Sequence, residues 1–177
     1  LVTRQARKAN YQGEAKVNSE TQLQMLSRLE LSASMHEELT AHCASRNIGF
    51  FSTAFDIESV DFLMTLGINH FKIPSGEITN LPYLRHIGQF RKHVIVSTGM
   101  ATLGDIEAAI EVLEKAGTPR SLITILHCTT EYPTPMEEVN LLAMKSIQAA
   151  FGVAIGYSDH TAGIEVSIAA AALGATV

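Results

Sequence analysis

The chain consists of short apolar runs that end in polar residues, with helical patterns between them. Five runs end in hydroxyls, glycine or ionisable side chains, at residues 48–53, 70–74, 93–97, 122–127 and 153–157. Runs of this length, rich in β-branched and aromatic side chains, predict β-strands. Strands that alternate with helices predict an α/β fold with a parallel sheet, and residues 175–177 are predicted to begin a further strand.

Helix signals occupy the segments between the predicted strands. The clearest predicts a helix that begins after Thr102 and ends at Gly117, with Ile106, Ile110 and Leu113 on its buried face. Asp56 and Asn80 predict the starts of two further helices. An earlier helix is predicted from a capping box formed by Ser34 and Glu37. The predicted organisation is a loop at 1–18, helices at 19–47 and βα units at 48–177.

The polar strand ends favour a TIM (β/α)8 barrel over a doubly wound sheet. A barrel presents chemistry at the carboxyl end of every strand, whereas an open sheet gathers it at a switch point. Five strands and the beginning of another cannot close an eight-stranded barrel. We therefore expect a partial barrel in a single domain.

Composition excludes several functional classes. The 177 residues carry a net charge of −5 without a basic cluster, which argues against nucleic-acid binding. No apolar run approaches the ~20 residues of a membrane span, and the basic start of the chain is not followed by an apolar stretch. Cys43 and Cys128 stand apart from any CxxC motif, which fits a reducing compartment. A cytoplasmic location is expected.

Lys72 is the first candidate for binding chemistry. Strand alternation places it on the face opposite Phe71 and Ile73. If those two residues pack against the helices, the ammonium points into the barrel, where it needs an anion. A ligand phosphate or carboxylate and a structural ion pair with Glu77 or Asp159 are equally compatible with the sequence.

Hydroxyl groups end several of the predicted strands. They are Thr53, Ser75, Ser97 and Ser158, and glycines at 76 and 99 adjoin two of them. Any one of them is compatible with a routine strand-end or cap hydroxyl. Four that converge at one edge predict an anion site, because small residues let the backbone approach a phosphate.

Other ionisable and aromatic residues near the strand ends allow two interpretations each. His160 is compatible with a metal ligand, a general acid or base, or a structural histidine, and His127 is a possible second ligand. Glu77 is compatible with a proton-transfer group or with a partner for Lys72. Tyr132 is compatible with a sugar contact or with core packing. Cys128 is predicted to be a small buried apolar side chain.

Six phrases in order resemble the sialic acid synthase (N-acetylneuraminate synthase) family. They are KANYQ at 8–12, FFSTAF at 50–55, FKIPSGE at 71–77, STGM at 97–100, LHCTTEYP at 126–133 and GYSDHT at 156–161. The resemblance covers essentially the whole chain. It implies an enzyme that condenses phosphoenolpyruvate with an N-acylated hexosamine, such as N-acetylmannosamine, to give a sialic or related nonulosonic acid and phosphate. It also implies a divalent cation (Mn²⁺ or Mg²⁺), a TIM barrel and a homodimer.

The resemblance also implies roles for individual residues. Lys72 would bind phosphoenolpyruvate, with hydroxyl donors from Thr53, Ser75, Ser97 and Ser158. His160 would be a metal ligand and catalytic residue, and Glu77 an active-site acid. Tyr132 would contact the sugar, as would Thr130, which stands where some members have Asn. Asn18 lies near a sugar-binding asparagine of the family.

Parts of the family pattern fall outside this sequence. The resemblance places the first two strands before Leu1, the second metal histidine after Val177, and an antifreeze-like domain beyond that. The chain then covers about strands 3 to 7 and the start of strand 8, and alone it is expected to be inactive.

Two alternative functions stay open. One is a 3-deoxy-keto-acid synthase, which would need arginines beyond Arg85, Arg91 and Arg120 to bind a phosphorylated sugar. The other is a barrel-derived binding protein without catalysis.

Overall fold

A computed structural model describes residues 2–6 and 21–177. The chain divides into two compact units, residues 1–50 and 51–177. Asn18 and nearly all of the loop predicted at 1–18 lie outside the described residues. None of the helices in the described part of the chain has the length and apolar character needed to cross a membrane.

The described part of the first unit contains two helices. Helix α1 spans Gln22–Leu29 and begins with a capping box between Thr21 and Gln24. Helix α2 spans Ala33–Ser45. The capping box predicted at Ser34 is wrong, because the Ser32 hydroxyl accepts the Met35 N–H at 3.2 Å and caps the helix. Ser34 lies inside the helix, with its hydroxyl 3.0 Å from that of Ser32.

The second unit is a parallel α/β sheet, as predicted. Its strands are β1 (His70–Ile73), β2 (His93–Ser97), β3 (Ile123–His127) and β4 (Ala154–Tyr157), in that order across the sheet. The helices are α3 (Ile57–Thr65), α4 (Leu81–Gln89), α5 (Leu103–Ala116), α6 (Leu142–Phe151) and α7 (Glu165–Ala172). Short 3₁₀ turns occur at Ser75–Glu77, Arg120–Leu122 and Met136–Glu138.

The predicted caps of this unit form because each supplies a side-chain acceptor to a free N–H of the first helical turn. Asp56 accepts from Ser59, Asn80 from Tyr83 and Thr102 from Asp105. Gly117 ends α5 with a φ of 126°, a backbone conformation that favours glycine. The helix starts and ends therefore follow the local sequence.

One predicted strand does not form. Residues 48–53 contain no strand, and the Ile48 N–H donates back to the Cys43 carbonyl at 2.9 Å. A strand needs a ladder of backbone hydrogen bonds with a neighbouring strand, and residues 48–53 are not assigned to a strand. At the other end of the chain, Thr176 donates to Ile155 and Val177 accepts from Tyr157. Residues 175–177 thus begin to pair with β4, as expected.

The apolar core lies between one face of the sheet and the helices. Phe71 and Ile73 of β1 are almost fully buried on this face, and the ring of Phe71 stacks on Phe90 with centroids 5.7 Å apart. Val94 and Val96 of β2 pair with these two residues and continue the layer. The opposite face of the same strands carries Lys72 and Ser97 together with the apolar Ile95.

Candidate functional site

Lys72 lies on the sheet face opposite the helices, as strand alternation predicts. Its neighbours Phe71 and Ile73 are 1% and 0% exposed, whereas Lys72 is half-buried. Lys72 pairs with Ile95 of β2, so Ser97 lies on the same face, two residues nearer the carboxyl edge of the sheet. The lysine and the serine therefore belong to one surface.

The Lys72 ammonium has no counterion in residues 2–6 and 21–177, where no ion pair or hydrogen bond reaches it. Burial lowers the pKa of Lys72, and the nearby Cys128 sulfur partly offsets that effect. A desolvated ammonium without an anion is unfavourable, so this position is suited to an anionic ligand.

Neither of the structural partners considered for Lys72 pairs with it. The Glu77 carboxylate accepts a hydrogen bond from the Asn80 amide at 2.7 Å. The Asp159 carboxylate accepts from Ser167 at 2.6 Å and from Thr161. Burial alone would raise the pKa of Asp159, but these hydrogen bonds outweigh it and lower the pKa. Both acids are thus engaged within their own loops.

The Ser97 hydroxyl is also without a partner. Ser97 is 4% exposed, and its Oγ makes no hydrogen bond within the described part of the chain. A buried hydroxyl loses its hydrogen bonds to water and normally regains them from the protein. An unpaired hydroxyl on the face that carries Lys72 is therefore available to donate to a ligand.

A tight corner at Gly99 brings Ser75 and Thr130 together. Gly99 has a φ of 53°, and a Cβ on it would lie 2.7 Å from the Ser75 hydroxyl and 3.0 Å from the Thr130 methyl group. Its N–H donates to the sulfur of Cys128 at 3.2 Å. The loops after β1, β2 and β3 therefore meet at one place, next to Ser97.

His160 is the centre of a second group of candidate residues. Its Nδ1 lies 2.8 Å from the Thr129 carbonyl oxygen, and its Nε2 lies 3.3 Å from the Ser158 hydroxyl. The ring of Tyr132 is 4.3 Å from the imidazole. Since a carbonyl only accepts, Nδ1 carries the proton of the neutral imidazole, and Nε2 keeps a lone pair.

This group of residues offers a metal ion one histidine ligand, His160. The Nε2 lone pair, which the Ser158 hydroxyl approaches at 3.3 Å, is of the kind that binds a divalent cation, but no group of three His, Cys, Asp or Glu residues in the described ranges could hold one. His127 does not join His160 in a metal-binding cluster of the described residues, so its role as a second ligand stays a prediction. Its Nε2 bonds to the Val139 carbonyl at 2.9 Å and its ring packs against Tyr157.

Thr53 and Glu77 are not joined to either group by a hydrogen bond. Thr53 lies in the irregular segment before α3, next to Ala54, whose carbonyl accepts a 2.6 Å hydrogen bond from the buried Tyr83 hydroxyl. Burial raises the pKa of Tyr83, and the charge of Glu77 adds to the effect. The Tyr83 contact fixes the backbone beside Thr53, which the sequence did not indicate.

A cleft adjoins the Gly99 corner without reaching Lys72 or Ser97. It has a volume of about 530 Å³ and is lined by Gly99, Met100, His127, Cys128, Thr129, Thr130, Glu137, Glu138 and Asn140. Its far wall comes from the segment after Pro135, which sequence reasoning did not single out. The cleft offers room beside Thr130, whereas the unpaired ammonium and hydroxyl lie on the sheet face.

Comparison with known proteins identifies the family of this chain. The model of the NeuB family matches residues 1–177. The chain belongs to the NeuB family. It is 57% identical over 99% of its length to N,N'-diacetyllegionaminic acid synthase of Campylobacter jejuni, and 42% identical over 100% to the Legionella pneumophila protein of the same name. It covers 53% and 50% of those proteins, so the chain spans about half the length of the curated relatives it matches.

A solved structure supports the fold of this NeuB-family chain. The N-acetylneuraminic acid synthetase of Leptospira borgpetersenii, crystallised in complex with citrate, is 32% identical to it with a TM-score of 0.80. The match covers 84% of this chain and 51% of that one. The resemblance to the sialic acid synthase family is thereby confirmed, and the relatives' names place the family in nonulosonic acid synthesis.

Proposed function

We propose that this sequence forms part of an enzyme that condenses phosphoenolpyruvate with an N-acylated hexosamine to give a nonulosonic acid and phosphate. The Lys72 ammonium carries the proposal, because it is desolvated on the inner sheet face and lacks a counterion among the described residues. Ser97 adds an unpaired buried hydroxyl to the same face. The sheet would belong to a closed TIM barrel whose other strands lie outside residues 51–177.

Each candidate site residue has a role in this proposal. Lys72 holds the phosphate or carboxylate of phosphoenolpyruvate by fixed positive charge, which favours the negative charge on the leaving phosphate. Ser75, Ser97, Ser158 and Thr53 donate hydrogen bonds to the same anion. Thr130 and Tyr132 contact the sugar. Glu77 holds or moves a proton at a substrate hydroxyl.

The proposed reaction balances as one condensation. Carbon 3 of phosphoenolpyruvate bonds to the aldehyde carbon of the open-chain sugar, and the aldehyde oxygen takes up a proton. Water adds to carbon 2 and loses one proton. Phosphate then leaves with the electrons of its C–O bond and takes up the proton of the new hydroxyl group, which gives the 2-keto acid. A divalent cation (Mn²⁺ or Mg²⁺), held in part by Nε2 of His160, would polarise the aldehyde.

The position of the arginines favours a sugar without a phosphate group. Arg85 lies within α4. Arg91 lies two residues before β2 and Arg120 three residues before β3, at the amino edge of the sheet. The Arg120 guanidinium is engaged by Glu114 at 2.6 Å and by the Phe151 carbonyl at 3.1 Å. None of the three lies at the carboxyl edge, where it could receive a sugar phosphate. The names of the two relatives favour an acceptor with two N-acetyl groups.

The proposal is tested with a full-length form, meaning a protein of the relatives' length that carries this sequence. It is incubated with phosphoenolpyruvate and one sugar, and free phosphate and product mass are measured. We expect phosphate release with an N-acylated hexosamine, fastest when it carries two N-acetyl groups, and a product whose mass equals sugar plus phosphoenolpyruvate plus water minus phosphoric acid. Phosphate release with a phosphorylated aldose alone would contradict the proposal.

A further inference from the structure

Cys128 occupies a position that its burial alone does not explain. It directly follows β3 and is 4% exposed, which agrees with a small buried side chain. Its sulfur also accepts the Gly99 N–H at 3.2 Å. An apolar side chain of similar size would fill such a space but would leave that N–H without its acceptor.

The Gly99 N–H belongs to the loop that carries the unpaired Ser97 hydroxyl. Two further hydrogen bonds attach this loop to β3, since the Thr98 N–H and hydroxyl both donate to the Leu126 carbonyl, at 3.0 and 3.1 Å. The bond to Cys128 is the third, and it is the one made to a side chain. It holds Gly99 in its left-handed conformation between Ser75 and Thr130.

The sulfur also lies close enough to Lys72 to influence it. The pKa of Lys72 is lowered by burial and raised by Cys128, so the two groups interact electrostatically. Cys128 therefore contacts the Gly99 loop directly and acts on the ammonium through its charge distribution. A thiol is a weak acceptor that adds no positive charge here, so it can stabilise the loop without competing for the anion.

We propose that Cys128 is a positioning residue for the anion site, which acts by accepting the Gly99 N–H and so holds the Ser97 hydroxyl and the Gly99 corner in place beside Lys72. This inference rests on the proposed function. It assigns to the thiol no contact with the reacting atoms. Its effect is therefore expected in the binding of phosphoenolpyruvate and not in the chemical step.

The test compares Cys128→Ala with Cys128→Ser in the full-length form. Alanine removes the acceptor, and we expect it to raise KM for phosphoenolpyruvate about tenfold, with kcat changed less than about threefold. Serine restores an acceptor and should bring KM back to within about threefold of the unsubstituted protein. Cys43→Ala, at the other cysteine, should leave both constants unchanged.

A second readout does not depend on turnover. In Cys128→Ala, amide hydrogen exchange at Gly99 should be faster than in the unsubstituted protein and in Cys128→Ser. Unchanged KM and unchanged exchange in Cys128→Ala would overturn the inference, as would an equal rise of KM in the alanine and serine variants. If the alanine variant does not fold, the serine variant alone decides. A KM for phosphoenolpyruvate raised tenfold or more in Cys128→Ser overturns the inference, and a KM near that of the unsubstituted protein supports it. If the unsubstituted protein does not turn over phosphoenolpyruvate, the proposed function fails instead.

Discussion

Replacing Lys72 with alanine in the full-length form is expected to slow phosphate release from phosphoenolpyruvate by about 10²–10³-fold, as when one preorganised electrostatic contact is lost. The reason is the position of the ammonium, which is half-buried on the sheet face opposite the helices and has no counterion among the described residues. Lys115→Ala is the matched control, because the Lys115 side chain is 76% exposed and pairs with Glu111 on the surface of α5. Such exposed pairs contribute little.

The pH dependence gives this prediction a second readout. Burial lowers the pKa of Lys72, so the free site loses its proton at a lower pH than an exposed lysine does. A bound anion favours the charged form and raises that pKa again. Affinity for phosphoenolpyruvate should therefore fall as the pH rises through the lowered pKa, with proton uptake on binding in that range. Activity of Lys72→Ala within threefold of the unsubstituted protein, with an unaltered pH profile, would remove the assignment.

Replacing His160 with alanine is expected to lower turnover roughly a thousandfold and to weaken the dependence on Mn²⁺ or Mg²⁺, because a polarising cation contributes several kcal/mol to the barrier. The Nε2 atom of this histidine keeps its lone pair because Nδ1 bonds to the Thr129 carbonyl at 2.8 Å. Steady-state phosphate release and Mn²⁺ binding by electron paramagnetic resonance measure the two effects.

The control for this substitution is His42→Ala. His42 is exposed on α2 and should leave turnover and Mn²⁺ binding unchanged. Thermal unfolding of both variants separates a loss of the cation from a loss of the fold. A His160→Ala protein that keeps its Mn²⁺ affinity and its turnover would show that this histidine is not a ligand.

Local rules were sufficient for much of the fold. The helix that begins after Thr102 could be predicted because its cap, its buried face and its terminal Gly117 all lie within one short stretch. The side of the sheet on which Lys72 lies followed from its apolar neighbours alone. Such features depend on residues close in sequence, and the folded chain therefore shows them as the sequence predicts.

The features that sequence reasoning missed depend on contacts between distant segments. Residues 48–53 have the composition of a strand, but they form no strand, because composition alone does not supply the backbone hydrogen bonds of a partner. The hydrogen bond between Gly99 and Cys128 joins residues 29 positions apart, and no local pattern indicates it. The unpaired state of the Ser97 hydroxyl is likewise visible only once the surrounding loops are in place.

Comparison with relatives supplied what the geometry could not. The unpaired ammonium and hydroxyl indicate an anion, but they do not distinguish phosphoenolpyruvate from another small phosphate or carboxylate. Membership of the NeuB family, whose model matches residues 1–177, is the reason for proposing phosphoenolpyruvate as the anion. The name of the Campylobacter jejuni relative, at 57% identity, is the basis for expecting a doubly N-acetylated acceptor.

The most direct test is a crystal structure of the full-length form with phosphoenolpyruvate bound. We expect a phosphate or carboxylate oxygen within about 3.2 Å of both the Lys72 Nζ and the Ser97 Oγ, which are hydrogen-bond distances. Phosphoenolpyruvate bound elsewhere, with the Lys72 ammonium paired to a protein carboxylate, would contradict the account.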